Sequence, residues 1–220
     1  MKVLSLIGQK GGSGKTSVSL AIAVEAERRG RRVALIDLDA QTTAANWSDR
    51  RGKDRPAVVS SQVARLPQVL EAAKAEGVDL AIIDTPGKND AASIAAARAA
   101  DLVLIPIQPQ LYDIETLAGL KDLLGLAGNP RAVVVINRAP VQGRRHLDAK
   151  DGIAKVYGLE VAPVVIFARA AHSDAGNDGL TAAELDPESK AAHEATDLYK
   201  YIVRLIGDDH GKANRSRRKA

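Results

Sequence analysis

The sequence contains no cysteine. This absence excludes disulfide bonds, thiolate metal sites and cysteine nucleophiles. It is compatible with a reducing cytoplasm, which is the location we expect.

Aromatic residues are also scarce, at 3% of the chain. Proteins that bind single-stranded nucleic acid commonly stack bases on aromatic side chains, and this chain has almost none to offer. Any contact with nucleic acid should therefore be electrostatic.

Long hydrophobic runs are missing as well. The apolar segment Met1–Ile7 is too short for the core of a signal peptide, and it passes directly into a glycine-rich loop instead of a cleavage site. No stretch approaches the length of a membrane span, so we expect no membrane partner.

Positive charge is concentrated at the C-terminus. The net charge is +4, and residues 210–220 contain five Lys or Arg residues and no acid, so residues 1–209 carry about −1. A basic tail is typical of an arm that binds nucleic acid or an anionic surface. Because apolar residues nearly vanish after Gly207, we expect one domain over 1–207 and a disordered or loosely ordered tail over 208–220.

Short β-branched runs alternate with longer helical patterns. This alternation predicts an α/β fold with a mostly parallel, twisted sheet flanked by helices on both faces. The predicted strands are Lys2–Ile7, Arg32–Asp37, Ala57–Ser60, Leu80–Asp84, Leu102–Ile105, Ala132–Ile136 and Val161–Ile166. The predicted helices are Lys15–Arg29, Val63–Glu76, Asp90–Ala99, Ile114–Gly125, Arg145–Tyr157 and Pro187–Ile206.

A glycine-rich loop follows the first strand and opens the first helix, the context that phosphate binding requires. Its residues are Gln9, Lys10, Gly11, Gly12, Ser13, Gly14, Lys15 and Thr16. Backbone N–H groups of such a loop turn towards phosphate oxygens, and the helix N-terminus adds partial positive charge. Lys15 would reach the β- and γ-phosphates, Thr16 would place its hydroxyl on Mg²⁺, and Ser17 could donate to the α-phosphate. The alternative is a strand-to-helix turn with two solvated lysines.

The spacing K-G-G-x-G-K-[S/T] at residues 10–16 resembles the deviant Walker A motif of the ParA/MinD family of P-loop ATPases. Gln9 stands where the usual Walker A pattern has glycine. The resemblance covers nearly the whole chain and implies ATP and Mg²⁺ as cofactors and a homodimer in the ATP state. It also implies that Lys10 crosses the dimer interface to the nucleotide of the other subunit and acts with Lys15 in hydrolysis.

Two acidic residues follow the buried run Val33–Ile36. They are Asp37 and Asp39, and the carboxyl ends of strands in open α/β sheets face the ligand crevice. The segment resembles the family's DxDPQ element, which implies that Asp39 orients the attacking water; Ala40 replaces the proline. We interpret Asp37 as a structural or metal-shell residue. The alternative for Asp39 is a solvated loop carboxylate.

Another apolar strand leads into Asp84, in the Walker B pattern. Asp84 would hold Mg²⁺, through water, opposite Thr16. An aspartate at a strand end is common, so this prediction depends on the phosphate loop.

Asn137 and Arg138 end the run Val133–Ile136 and resemble the family's nucleotide-binding Asn-Arg pair. The resemblance implies that the Asn137 side chain binds the adenine edge, which an amide with one donor group and one acceptor suits. An asparagine that caps a helix is the alternative.

Residues 41–47, 104–109 and 169–184 resemble the small plasmid-partition ParA proteins. This likeness implies a nucleoid-associated ATPase that binds double-stranded DNA nonspecifically and segregates a plasmid or chromosome. A ParB-like or adaptor protein would stimulate its slow hydrolysis. Arg169 aligns with the family's DNA-binding region, and a solvated loop cation is the alternative.

Related proteins leave several alternatives. A nitrogenase-like iron protein needs cysteine ligands, and a MinD-like protein needs an apolar C-terminal helix face, which residues 208–220 do not offer. The same mechanism positions carboxysomes or chemoreceptor clusters in related systems, so the cargo stays open. A metabolic ATP-dependent ligase similar to dethiobiotin synthetase also stays open.

The histidines show no metal-ligand spacing, and we interpret them as surface or loop residues; they are His146, His172, His193 and His210. Trp47, the sole tryptophan, is interpreted as a packing residue.

Overall fold

Seven parallel strands form the central sheet of the computed structural model, which describes residues 1–207. The strands are β1 Lys2–Leu6, β2 Val33–Asp37, β3 Ala57–Ser60, β4 Leu80–Asp84, β5 Leu102–Ile107, β6 Ala132–Ala139 and β7 Glu160–Phe167. Their order is β3-β2-β4-β1-β5-β6-β7, and each neighbouring pair is parallel. The predicted fold class is confirmed. The predicted tail, 208–220, lies outside the described residues.

Ten helices occur within this described range. They are α1 Lys15–Arg28, α2 Thr43–Arg51, α3 Leu66–Ala75, α4 Asp90–Ala99, α5 Leu111–Ile114, α6 Thr116–Leu126, α7 Arg145–Tyr157, α8 Ala170–Asn177, α9 Ala182–Leu185 and α10 Lys190–Leu205. A 3₁₀ turn, Val63–Arg65, precedes α3. None of the helices within residues 1–207 combines the length and the apolar character that a membrane crossing requires.

Successive strand residues point to opposite faces of the sheet, so each strand contributes to two cores. On one face, Leu4 belongs to a core with Ile22 of α1 and Ile202 of α10. On the other face, Ile105 shares a core with Leu120 of α6 and Ile153 of α7. Helices therefore flank both faces, as predicted.

Three helices, α2, α8 and α9, were not predicted from the sequence. The buried residues of α2 are Ala44 and Trp47, and that of α8 is Ala175, which is too little for the apolar periodicity that marks a helix. Two predicted helices also differ in form. The helix predicted over Val63–Glu76 begins as the 3₁₀ turn before α3. The helix predicted over Ile114–Gly125 corresponds to α6, which is preceded by the separate short helix α5.

Candidate active site

The glycine-rich loop lies where the connections of the sheet diverge. From β1 the chain passes through α1 to β2 on one side, and from β4 it crosses to β5 on the other side of β1. Ligand crevices of open α/β sheets form at such switch points, beyond the carboxyl ends of the strands. The loop between β1 and α1 therefore occupies the place where a ligand is expected.

A cleft of about 650 Å³ joins the phosphate loop, the loop after β2 and the loop after β4. The predicted residues that line it are Gly11, Gly12, Gly14, Lys15, Thr16, Ser17, Asp39 and Arg138. The loops after β1 and β4 touch, because a Cβ on Gly87 would lie 2.8 Å from the backbone nitrogen of Gly11. The fold thus gathers residues from distant segments around one cleft.

Lys15 is buried within the loop that carries it, with 6% of its surface exposed. Its ammonium group lies 3.3 Å from the carbonyl oxygen of Lys10. Burial lowers the pKa of Lys15, while the charges of Asp84 and Asp39 raise it. Ser13 Oγ is buried beside it without a hydrogen-bond partner among residues 1–207. A buried ammonium group and an unpaired hydroxyl fit the phosphate oxygens of a nucleotide.

Asp84 is almost completely buried at the end of β4, with 1% of its surface exposed. One oxygen, Oδ1, accepts a hydrogen bond of 3.3 Å from Ser19 Oγ. The other, Oδ2, is buried without a partner in the described part of the chain. Burial raises the pKa of Asp84 to about 7, against the lowering effects of Thr16 and Lys15. A carboxylate beside a hydroxyl is a donor set that suits Mg²⁺.

Asp37 and Asp39 have different environments. Asp37 is 1% exposed, and its two oxygens accept hydrogen bonds from the backbone N–H groups of Asp39 and Ala44. Burial raises the pKa of Asp37. Asp39 is partly exposed to the cleft, and its Oδ1 accepts a hydrogen bond of 3.0 Å from the N–H of Gln41. Asp37 therefore holds the loop, whereas Asp39 is placed where it could meet a ligand.

Lys10 lies on the outer side of the loop, with 45% of its side chain exposed. It forms an ion pair with Asp113 of α5, whose side chain is 2% exposed. In the single chain, the lysine that was predicted to act across a dimer interface is thus held by its own subunit.

The Asn137 side chain is buried and hydrogen-bonded to the phosphate loop. It is 3% exposed, and its Nδ2 donates a hydrogen bond of 2.7 Å to the carbonyl oxygen of Ser13. Arg138 has a left-handed φ of 52° and donates to the carbonyl oxygen of Gly12 at 3.0 Å. Both residues therefore support the backbone of the phosphate loop.

A second cavity of about 530 Å³ opens beside these two residues. Its apolar lining includes Ile22, Ile166 and Leu198, and its polar lining includes Ser17, Gln108, Asn137, Arg138 and His172. Gln108 also donates to the carbonyl oxygen of Gly12 at 3.1 Å. Sequence reasoning did not assign a site role to Gln108, Phe167 or His172. Phe167 lies in no motif, while Gln108 and His172 lie in the stretches 104–109 and 169–184 that were noted for their family resemblance.

Arg169 forms an ion pair with Glu194. Its Nε and a terminal nitrogen donate to Glu194 at 2.9 and 2.7 Å, and its guanidinium lies 5.4 Å from the ring centre of Phe167. With 21% of its side chain exposed, it is not the solvated loop cation of the alternative interpretation.

The histidine interpretation is wrong for two residues. His146 lies in α7 and His172 in α8, both half-buried, and each has a buried ring nitrogen without a partner among residues 1–207. Burial lowers the pKa of His172. His193 is exposed on α10, and His210 lies outside the described residues. Trp47 is confirmed as a packing residue, because it is 2% exposed within the core.

A family model described as the CobQ/CobB/MinD/ParA nucleotide binding domain matches residues 4–182. This chain belongs to that family. Two similar ParA/MinD-type proteins illustrate the family. The chromosome-partitioning ATPase Soj of Thermus thermophilus is 30% identical, over 92% of this chain and 96% of that protein. The maintenance of carboxysome distribution protein A of Halothiobacillus neapolitanus is 26% identical, over 91% of this chain and 95% of that protein.

The fold is similar to that of solved ParA/MinD structures. The septum site-determining protein MinD of Pyrococcus horikoshii, complexed with Mg-ADP, matches with a TM-score of 0.73 and 19% identity. The match covers 94% of this chain and 97% of that one. The likeness supports the ParA/MinD type of P-loop fold.

Proposed function

We propose that this chain is a slow, partner-stimulated Mg-ATPase whose ATP-bound homodimer binds double-stranded DNA nonspecifically and positions a plasmid or chromosome in the cytoplasm. The observation that carries the proposal is the cleft that joins the phosphate loop to Asp39. Asp84 precedes Thr85 of the cleft lining, and its buried Oδ2 has no hydrogen-bond partner among residues 1–207. This arrangement supports nucleotide binding and hydrolysis at one site.

Each group has a role in the proposed reaction. Lys15 and the N–H groups of the phosphate loop bind and orient the phosphates, and Ser17 donates to the α-phosphate. Mg²⁺, held by Thr16 and through water by Asp84, would neutralise charge on the β- and γ-phosphates. Asp39 positions the attacking water at the cleft, and Lys10 of a second subunit completes the site.

The second cavity is the proposed place of the adenine ring. Its apolar lining suits the faces of a purine, and its polar lining suits the ring edge. Asn137 contributes chiefly by supporting the phosphate loop, because its amide N–H is bonded to Ser13.

Nonspecific DNA binding is supported by the charge distribution rather than by a pocket. The basic residues beyond residue 207 and the scarcity of aromatics favour contacts with phosphates. A protein cargo is a second candidate, favoured by the likeness to the carboxysome distribution protein.

The test is ATP turnover with Mg²⁺ alone, with duplex DNA and with candidate small organic acids. We expect slow hydrolysis without any small co-substrate, and stimulation when DNA and the cognate partner protein are present. Turnover that requires an organic acid would instead identify a ligase, and would overturn the proposal.

A further inference from the structure

The loop that carries Asp39 is suspended between β2 and α2. At its near end, the buried carboxylate of Asp37 accepts hydrogen bonds from the N–H groups of Asp39 and Ala44. At its far end, Thr42 has a left-handed φ of 50° and its N–H donates to the carbonyl oxygen of Asp39 at 2.9 Å. The loop is therefore held by Asp37 at the end of β2 and by α2, and a displacement of α2 would move Asp39.

Helix α2 is too short to hold its own position. It has nine residues, and isolated helices shorter than about 12–15 residues are marginal in water. Its buried residues are Ala44 and Trp47. Contacts with other elements must therefore keep it in place.

Those contacts converge on its C-terminal turn. Arg51 donates to both carboxylate oxygens of Glu184 at 2.8 and 2.6 Å, and its side chain is 6% exposed. Its guanidinium also lies 4.9 Å from the ring centre of Trp47, whose indole N–H donates to the carbonyl oxygen of Leu180 at 3.1 Å. We call Trp47, Arg51 and Glu184 the α2 clamp.

The segment that carries Glu184 is also fixed by local contacts. Glu184 forms a capping box with Thr181 at the start of α9. Gly179 has a φ of +66° and packs so closely on the backbone of Arg51 that any Cβ would collide with it. Towards its N-terminus this segment continues into α8, which lines the second cavity through Ala170, His172 and Ser173.

We propose that the α2 clamp positions Asp39 for hydrolysis. It does so by fixing α2 to the segment 179–184, which follows α8 in the wall of the second cavity. The inference rests on the proposed ATPase function. Arg51 and Glu184 line neither the cleft nor the cavity, so they are positioning residues that act through Asp39. A clamp that only stabilised the fold would affect nucleotide binding and turnover together.

The experiment compares Arg51→Ala in the full-length protein with and without Asp39→Ala, under single-turnover conditions. We expect Arg51→Ala to lower turnover by between about 10-fold and about 100-fold, since small displacements of reacting groups have effects of this size. Affinity for a non-hydrolysable ATP analogue should be unchanged. In the Asp39→Ala background, the loss of Arg51 should have no further effect.

The matched control is Arg29→Ala. Arg29 also donates twice to a buried carboxylate, that of Glu25, at 2.9 and 2.7 Å, but it lies beyond the end of α1. Turnover by this variant should equal that of the parent. The emission of Trp47, the sole tryptophan, should change in Arg51→Ala and not in Arg29→Ala.

Parental turnover by Arg51→Ala, or an equal loss in both Asp39 backgrounds, would overturn the inference. If Arg51→Ala does not fold, Glu184→Gln decides in its place, because it removes the charge and keeps the side-chain volume. A parent protein that does not hydrolyse Mg-ATP would overturn the proposed function and this inference with it. If the parent hydrolyses Mg-ATP and a clamp variant does so equally fast, the inference is overturned but the proposed function is not.

Discussion

At the residue scale, burial distinguishes the two lysines of the phosphate loop. Lys15 is 6% exposed and lies between two loops, whereas 45% of the Lys10 side chain is exposed and its charge is paired with Asp113. A buried ammonium group is held ready for an anion, because few rotamers remain to be lost on binding. In the proposed homodimer, Lys10 would have to leave Asp113 before it could reach the other subunit.

We expect Lys15→Ala to weaken Mg-ATP binding by roughly 100-fold, because a hydrogen bond to a charged group contributes about 1.5–3 kcal/mol. Calorimetric titration with Mg-ATP measures this change. The matched control is Lys74→Ala, which removes an exposed lysine from α3 and should bind as the parent does. Equal affinity of the Lys15 variant and the parent would show that the phosphates bind elsewhere.

At the element scale, the helices that hold the site depend on polar contacts as well as on apolar burial. Burial alone would raise the pKa of Glu184, but the hydrogen bonds from Arg51 and Thr181 outweigh it and hold that pKa below its usual value. The stabilisation of α2 and α9 by this carboxylate should therefore depend on pH.

Glu184→Gln should lower the free energy of unfolding by about 1.5–3 kcal/mol at pH 7, the effect of losing hydrogen bonds to a charged group. Because the folded-state pKa is depressed, the contribution is complete above the unfolded-state pKa of about 4.3 and is lost as the pH falls through the folded-state value. Urea unfolding at pH 7 and at acid pH measures the difference from the parent. A difference that stays constant across this range would show that the charge is not responsible, and Glu71→Gln on α3 serves as the exposed control.

At the scale of the whole molecule, the proposed function requires two chains. A near-neutral body with a basic tail offers few phosphate contacts as a monomer, and dimerisation doubles those available. We expect Arg169 to contribute less to DNA binding than the family resemblance implies, because its charge is paired with Glu194.

DNA binding should therefore require the ATP state, ignore base sequence and weaken steeply with salt. Each phosphate contact should add about −0.9 to the slope of log K against log salt. The measurement is a salt titration of duplex binding with ADP, with a non-hydrolysable ATP analogue, and with the chain shortened after Gly207. The control is Lys10→Ala, which should remain monomeric with the ATP analogue and bind duplex DNA only weakly. Equal affinity in the ADP and ATP states, or preference for one duplex sequence, would contradict the mechanism.

Local sequence patterns determined the strand positions, the α/β class and the segments around the cleft. A β-branched run, a glycine loop or an acid at a strand end acts within a few residues of chain, so its structural consequence can be predicted without the fold. The helices with few buried residues, such as α2, were not predictable in this way.

Tertiary structure alone decided the pairings between distant residues. Arg51 meets Glu184 across 133 positions, Asn137 meets Ser13 across 124 and Lys10 meets Asp113 across 103. Burial of a charged or polar group requires a partner, but any of many carboxylates or carbonyl groups along the chain would satisfy that requirement. The packing of the sheet and its helices selects which one comes within reach.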